Sequence, residues 1–183
     1  FLKVLESEGF KDLWGVEIDK SAFKVAKSKL KKTKIFNQSG IDFLKNKKNF
    51  FNAIFLIDVL EHIELNKIPK LIKYLFRSLK KGGIVVIRTP NAESVLFGSY
   101  MRYGDPTHTT SFTRHSIKSL FEDTGFKTIE IRGQRLANIF YLYPLKILRT
   151  MLEFLIKPIM ILYYGELGFS SIQTPNLIAV FKK

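Results

Sequence analysis

The chain has 183 residues, 46% of them hydrophobic and 17 of them phenylalanine, which suffices for one sizeable core and is too short to argue for two domains. It contains no cysteine, so a disulfide framework, a thiolate metal site and a cysteine nucleophile are excluded, and a cytoplasmic setting fits best. Lysine and arginine number 30 against 16 acidic residues, a net charge of +14 that favours encounter with anionic partners. Most lysines, such as Lys20, Lys24, Lys27 and Lys31, lie on polar helix faces, and no arginine-rich, aromatic-interleaved pattern appears, so nucleic acid is not the expected partner.

Phe1 to Phe10 has no methionine, no basic leader and no continuous apolar run, and it reads as an internal cut point in a helical pattern. Strands are expected at Leu13 to Ile18, Lys34 to Asn37, Phe51 to Ile57 and Ile84 to Arg88, each short and rich in β-branched or aromatic residues, as suits strands covered on both faces. A helix over Ser21 to Leu30 has Asp19 as its N-cap. A second carries Ile68, Leu71, Ile72, Leu75 and Leu79 as one apolar stripe, with Gly82-Gly83 as its stop. Ser116 to Thr124 is helical with Gly125 behind it; Phe126 to Arg132 and Leu177 to Phe181 complete the strands.

Leu136 to Leu167 is apolar but interrupted by Lys146, Arg149, Glu153, Lys157 and Pro158, so it lacks the roughly 18 uninterrupted apolar residues of a span. Two helices covering the end of the sheet are expected there, with core packing as their use. Peripheral contact at the inner membrane face is the sharper alternative. The alternation of strands and helices predicts an α/β, Rossmann-like doubly wound fold, mostly parallel, closed by an antiparallel strand. One domain over 1–183 is expected, with a cofactor-binding core at 1–132, a helical cover at 133–172 and the closing strand at 173–183.

Three segments could carry chemistry. An acidic residue ending a second parallel strand, about 20 residues after a glycine-rich turn, can accept hydrogen bonds from both ribose hydroxyls of a nucleoside cofactor. Glu17 is that candidate, with the turn and its strand expected upstream of Phe1; the plainer alternative is a strand end in solvent. Asp58-Val59-Leu60-Glu61-His62 follows a buried strand, where open α/β sheets bind ligands. One helical turn there would bring Asp58, Glu61 and His62 to one side, to orient a hydroxyl or hold a divalent cation. Equally, Asp58 could be a cap with Glu61 and His62 supporting it. In the polar loop Gly104 to Thr113, His108 could take a proton from a substrate hydroxyl, whereas His115, at a helix start, belongs to the surface.

Glu17-Ile18-Asp19, Asp58-Val59-Leu60-Glu61-His62, Leu79-Lys80-Lys81-Gly82-Gly83, Thr89-Pro90-Asn91, Asp105-Pro106-Thr107-His108 and Thr124-Gly125-Phe126 occur in this order. Together they resemble the class I S-adenosylmethionine-dependent methyltransferases, especially those of ubiquinone biosynthesis and bacterial surface-polysaccharide synthesis. The resemblance implies that Glu17 binds the ribose of S-adenosylmethionine, Ile18 lies against the adenine, Ser39, Gly40 and Ile41 line its other edge, and Asp58 approaches the methionine part. It implies methyl transfer to an oxygen of a sugar, polysaccharide precursor or lipid-linked small molecule, with His108 as base and Glu61 and His62 beside it. The family's glycine-rich loop has no counterpart in the chain.

Some relatives, the small-RNA 2′-O-methyltransferases among them, bind a divalent metal through a similar pattern, matched here by Asp58, Glu61, His62 and His108; a metal is not the favoured expectation. A nicotinamide-dependent oxidoreductase and a non-catalytic membrane-surface module are the alternative readings.

Overall fold

A computed structural model describes residues 1–135, 143–168 and 172–183. Helix α1 (Leu2–Ser7) precedes strand β1 (Trp14–Glu17), helix α2 (Lys20–Lys29) and strand β2 (Lys34–Asn37). Helix α3 (Gly40–Leu44), strand β3 (Phe51–Ile57), helix α4 (Ile68–Ser78) and the long strand β4 (Leu79–Pro90) follow. Then come α5 (Gly98–Tyr103), α6 (Arg114–Glu122), β5 (Lys127–Gly133), α7 (Tyr143–Gly168) and β6 (Asn176–Lys182).

Local chemistry explains where the helices start. The Asp19 carboxylate accepts from the Ala22 amide at 2.7 Å and caps α2, while Thr113 and Ser116 exchange hydrogen bonds in a capping box at the head of α6. Gly125, at φ +101°, ends the α6 turn. The apolar stripe of α4 is buried to completion: Ile68, Leu71, Ile72, Leu75 and, just beyond the helix, Leu79 pack into the core. That helix stops at Ser78, earlier than its glycines suggest. Lys80 and Lys81 already belong to β4, and the left-handed Gly82 lies within that strand, where the register against β3 shifts.

Two sheets form instead of one. β1 and β2 pair in parallel, and a second sheet has the order β3-β4-β6-β5. β3 and β4 are parallel; β6 runs antiparallel to both β4 and β5, as expected of a closing strand. An aromatic cluster joins the sheets at their amino ends: the Trp14 ring lies 5.3 Å from that of Phe50 and 6.3 Å from that of Phe51, and stacks on Phe36 at 5.5 Å. With the strand starts pinned there, β1 and β3 finish toward Glu17 and Ile57 respectively.

Residues 136–142, the beginning of the expected two-helix cover, lie outside the described residues. The remainder departs from expectation: α7 is one continuous helix through Pro158, and among its described side chains many apolar ones are exposed, Phe154 to 75% and Leu162 to 83%. A sequence of apolar residues demands a cover, but it does not say that the chain itself supplies one.

Leu75 is fully buried at the centre of the α4 stripe. Leu75→Ala should lower unfolding stability by about 3 kcal/mol, measured by chemical denaturation; a loss under about 1 kcal/mol would place that stripe outside the core.

Candidate active site

The side chains singled out in the sequence fall into two groups. In the first, Glu17 ends β1, and its Oε1 accepts from the Asp19 amide at 2.9 Å, so the carboxylate is held at the strand end with its other oxygen available. The Asn37 side-chain amide donates to the carbonyls of Glu17 and Ile18 at 2.8 and 3.0 Å, fixing the end of β1 against the end of β2. Ile18 is 71% exposed, an uncovered apolar face beside a held carboxylate. Ser39 caps α3 by accepting from the Asp42 amide at 3.1 Å, Ile41 is half-buried, and a Cβ built on Gly40 would meet nothing within 4 Å. An open space, an exposed apolar face and a held carboxylate are the features that could take a nucleoside.

The second group is built on the carboxyl ends of β3 and β4. Glu61 sits in a 3-10 turn (Leu60–His62), and its side chain is only 1% exposed. The Thr89 hydroxyl, from the end of β4, donates to Glu61 Oε2 at 3.0 Å. Burial pushes the Glu61 carboxyl above the usual glutamate range, with Thr89 opposing that shift. The Glu61 carbonyl accepts from the amides of Thr109 and Thr110 at 2.9 and 3.1 Å, and the Thr109 and Thr110 hydroxyls both donate to the Ile63 carbonyl. The loop carrying His108 is thereby pinned onto the turn carrying His62. Their rings lie 4.8 Å apart.

Hydrogen bonds fix how both rings are presented. His108 Nδ1 is 2.7 Å from the Met101 carbonyl, which can only accept, so Nδ1 carries the proton and Nε2 of the neutral ring is unprotonated, 3.9 Å from Asp105 Oδ2. The Thr107 hydroxyl donates to Asp105 Oδ1 at 2.6 Å and so accepts from His62 Nδ1 at 3.0 Å; His62 Nε2 is likewise unprotonated. These bonds from the Thr107 hydroxyl and amide hold the Asp105 carboxyl below its ordinary range. Arg102 donates to the carbonyls of His108 and Thr109, bracing the loop from α5. Ligand atoms of Glu61, His62 and His108 all lie within 4.8 Å of one another, so the trio could also hold a divalent cation.

Asp58 does not join this trio. It adopts a left-handed backbone, φ +52°, and its carboxylate pairs with both Nε and Nη2 of Arg88, so the expected one-sided turn of Asp58, Glu61 and His62 does not form. His115 is exposed near the start of α6, as expected. Sequence reasoning gave no role to Arg88, Thr89, Met101 and Arg102. Thr89 had the clearest signal, a polar residue at the end of a buried strand; a backbone carbonyl such as that of Met101 has none.

A family model described as a methyltransferase domain matches residues 1–131. No curated protein matches the sequence. Among solved structures, an S-adenosylmethionine-dependent methyltransferase from Archaeoglobus fulgidus has a TM-score of 0.74 at 19% identity, over 100% of this chain and 80% of its own. A methyltransferase in complex with the Haloferax volcanii Trm112 methyltransferase activator gives 0.71 at 11%, over 99% and 76% of the two chains. An S-adenosylmethionine-dependent methyltransferase from Mesorhizobium loti gives 0.66 at 11%, over 100% and 85%. At these identities the likeness is one of fold.

The raised Glu61 carboxyl makes a testable link to stability. The folded state holds that proton more tightly than the unfolded chain, so its stabilising contribution is complete below the ordinary glutamate value of about 4.3 and is lost as pH rises through the raised value. Glu61→Gln has no such proton to lose. Thermal melts from about pH 4 to about pH 8 should show the wild type falling relative to the glutamine variant; parallel curves would mean that the carboxyl titrates as it does in water.

Proposed function

The chain belongs to the methyltransferase-domain family, and from that premise we propose that it transfers the methyl group of S-adenosylmethionine to a hydroxyl oxygen of a sugar, polysaccharide precursor or lipid-linked acceptor. The observation that carries this reading is the unprotonated Nε2 of His108, held beside His62 and Glu61 at the strand ends. Glu17 and Ile18 would bind the ribose and adenine, with Ser39, Gly40 and Ile41 along the nucleoside's other edge. Asp58, neutralised by Arg88, would line the methionine side. S-adenosylmethionine, when bound, supplies a methyl already activated on sulfonium sulfur.

The residues of this chain do the rest. As the acceptor oxygen forms its bond to the methyl carbon and the carbon–sulfur bond breaks, the hydroxyl proton passes to His108 Nε2. The Met101 carbonyl keeps the opposite ring nitrogen protonated and stabilises the imidazolium that results. Buried Glu61 and the His62 ring hold this base in place. Most of the rate comes from alignment, which can supply about 7 kcal/mol or more when donor and acceptor are held in line. An apolar portion of the acceptor is supported by the segment that braces His108: Val95, Leu96, Tyr100 and Tyr103 are all exposed around Met101.

Two measurements test this. In titration calorimetry of the full-length protein with S-adenosylhomocysteine, Glu17→Ala should weaken binding at least about tenfold, while His108→Ala should leave it within about twofold. In a methyl-transfer assay, His108→Ala should lower kcat by about 10² to 10⁴. Full donor affinity in the Glu17 variant, or full kcat in the His108 variant, would reject the assigned roles.

The gathered trio of Glu61, His62 and His108 favours a second reading of the same site, in which a divalent cation takes the acceptor oxygen. Undiminished kcat after exhaustive chelation supports the base; loss of turnover that added metal restores supports the cation.

A further inference from the structure

No helix among the described residues is long and apolar enough to cross a membrane, yet α7 presents a broad uncovered apolar surface. We infer that α7 lies in the surface of an anionic lipid bilayer, with its apolar side among the acyl chains and its lysines at the headgroups. The inference does not depend on the methyl-transfer reading.

The register of the helix carries it. The helix has 26 residues, about 39 Å at about 1.5 Å per residue. At about 100° per residue, its exposed apolar residues from Tyr143 to Leu162 fall within an arc of about 200°. Leu148, Met151 and Leu155 lie near the middle of that arc, exposed to 53%, 58% and 60%. Lys146, Thr150 and Lys157 fall together on a narrow strip of about 40° outside it. Charged positions thus share one side, a segregation that gives each side a different solvent.

The width of the arc selects the occupant. Two helices packing together cover a narrower seam, built on spacings of three and four residues, and would leave much of this arc in water. A bilayer surface covers half the circumference of a helix lying in it. Charge selects the lipid: the chain carries +14, which repels a second copy and is attracted to anionic headgroups. At the amino end of the helix, the Lys146 ammonium lies 5.0 Å from the Tyr143 ring centroid, a pairing of basic and aromatic groups suited to the boundary between water and hydrocarbon.

Sedimentation with phosphatidylcholine vesicles, with and without phosphatidylglycerol, tests this on the full-length protein. Binding is expected to the phosphatidylglycerol vesicles, weakening several-fold as salt rises, with little to phosphatidylcholine alone. The double variant Leu148→Glu/Leu155→Glu should bind at least about tenfold less while keeping the wild-type circular dichroism and S-adenosylhomocysteine affinity. Lys146→Glu/Lys157→Glu, which leaves the apolar arc intact, should lose affinity selectively for the anionic vesicles. No binding to phosphatidylglycerol vesicles, or equal binding by the leucine variant, overturns the inference. So does a wild-type dimer that the leucine variant converts to monomer without any vesicle binding, since a second copy would then be the cover.

Discussion

A carboxylate inside a fold must be given partners, and the partners given to Glu61 organise this site. Its side chain takes a hydrogen bond from Thr89 at the end of β4, and its backbone carbonyl takes two from Thr109 and Thr110. One residue therefore ties a strand end, a 3-10 turn and a distant loop together. His62 and His108, 46 residues apart by their numbers, meet because of those ties. Hydrogen bonds then keep Nδ1 of both rings protonated and leave Nε2 of each unprotonated. A site assembled through backbone carbonyls is insensitive to small side-chain motions, which suits a reaction that depends on alignment.

The other constraint is directional. Trp14 and its aromatic neighbours hold the amino ends of β1 and β3 together across two separate sheets. Glu17 ends β1 and the Glu61 turn follows the end of β3, so each lies at the far end of its own strand from that cluster. The reversed β6, slotted between β4 and β5, carries the closing edge, and the Asn91 side-chain amide at the end of β4 donates to the carbonyls of Ile172 and Thr174, which lead into β6. Lysines lie over this scaffold without entering it, apart from stems such as that of Lys47, whose ammonium sits 5.0 Å from the Trp14 ring centroid.

Periodic features were legible in the sequence because their cause is local. The α4 stripe, the Asp19 cap, the Gly125 stop and the strand positions each follow from spacing or from one residue's conformational preference. Asp58 was not legible: its direction is set by Arg88, 30 residues away, and by a left-handed backbone that no glycine announces. The pairing of His62 with His108 could be suspected from two histidines at one sheet edge, but their tautomers depend on Met101 and Thr107, which advertise nothing. For α7 the composition predicts burial within the chain, whereas the described apolar arc is exposed. Hydrophobicity states that a surface needs covering; identifying the cover takes geometry and charge.

The presentation of His108 can be measured directly, without knowing the acceptor. Nitrogen-15 NMR of the imidazole rings at a pH where His108 is neutral distinguishes the two tautomers. Expected is the Nδ1–H form with an unprotonated Nε2, shifting toward the other form when Met101 is replaced by proline and its segment is displaced. A neutral His108 protonated at Nε2 in the wild type would contradict the geometry on which the proposed proton transfer rests.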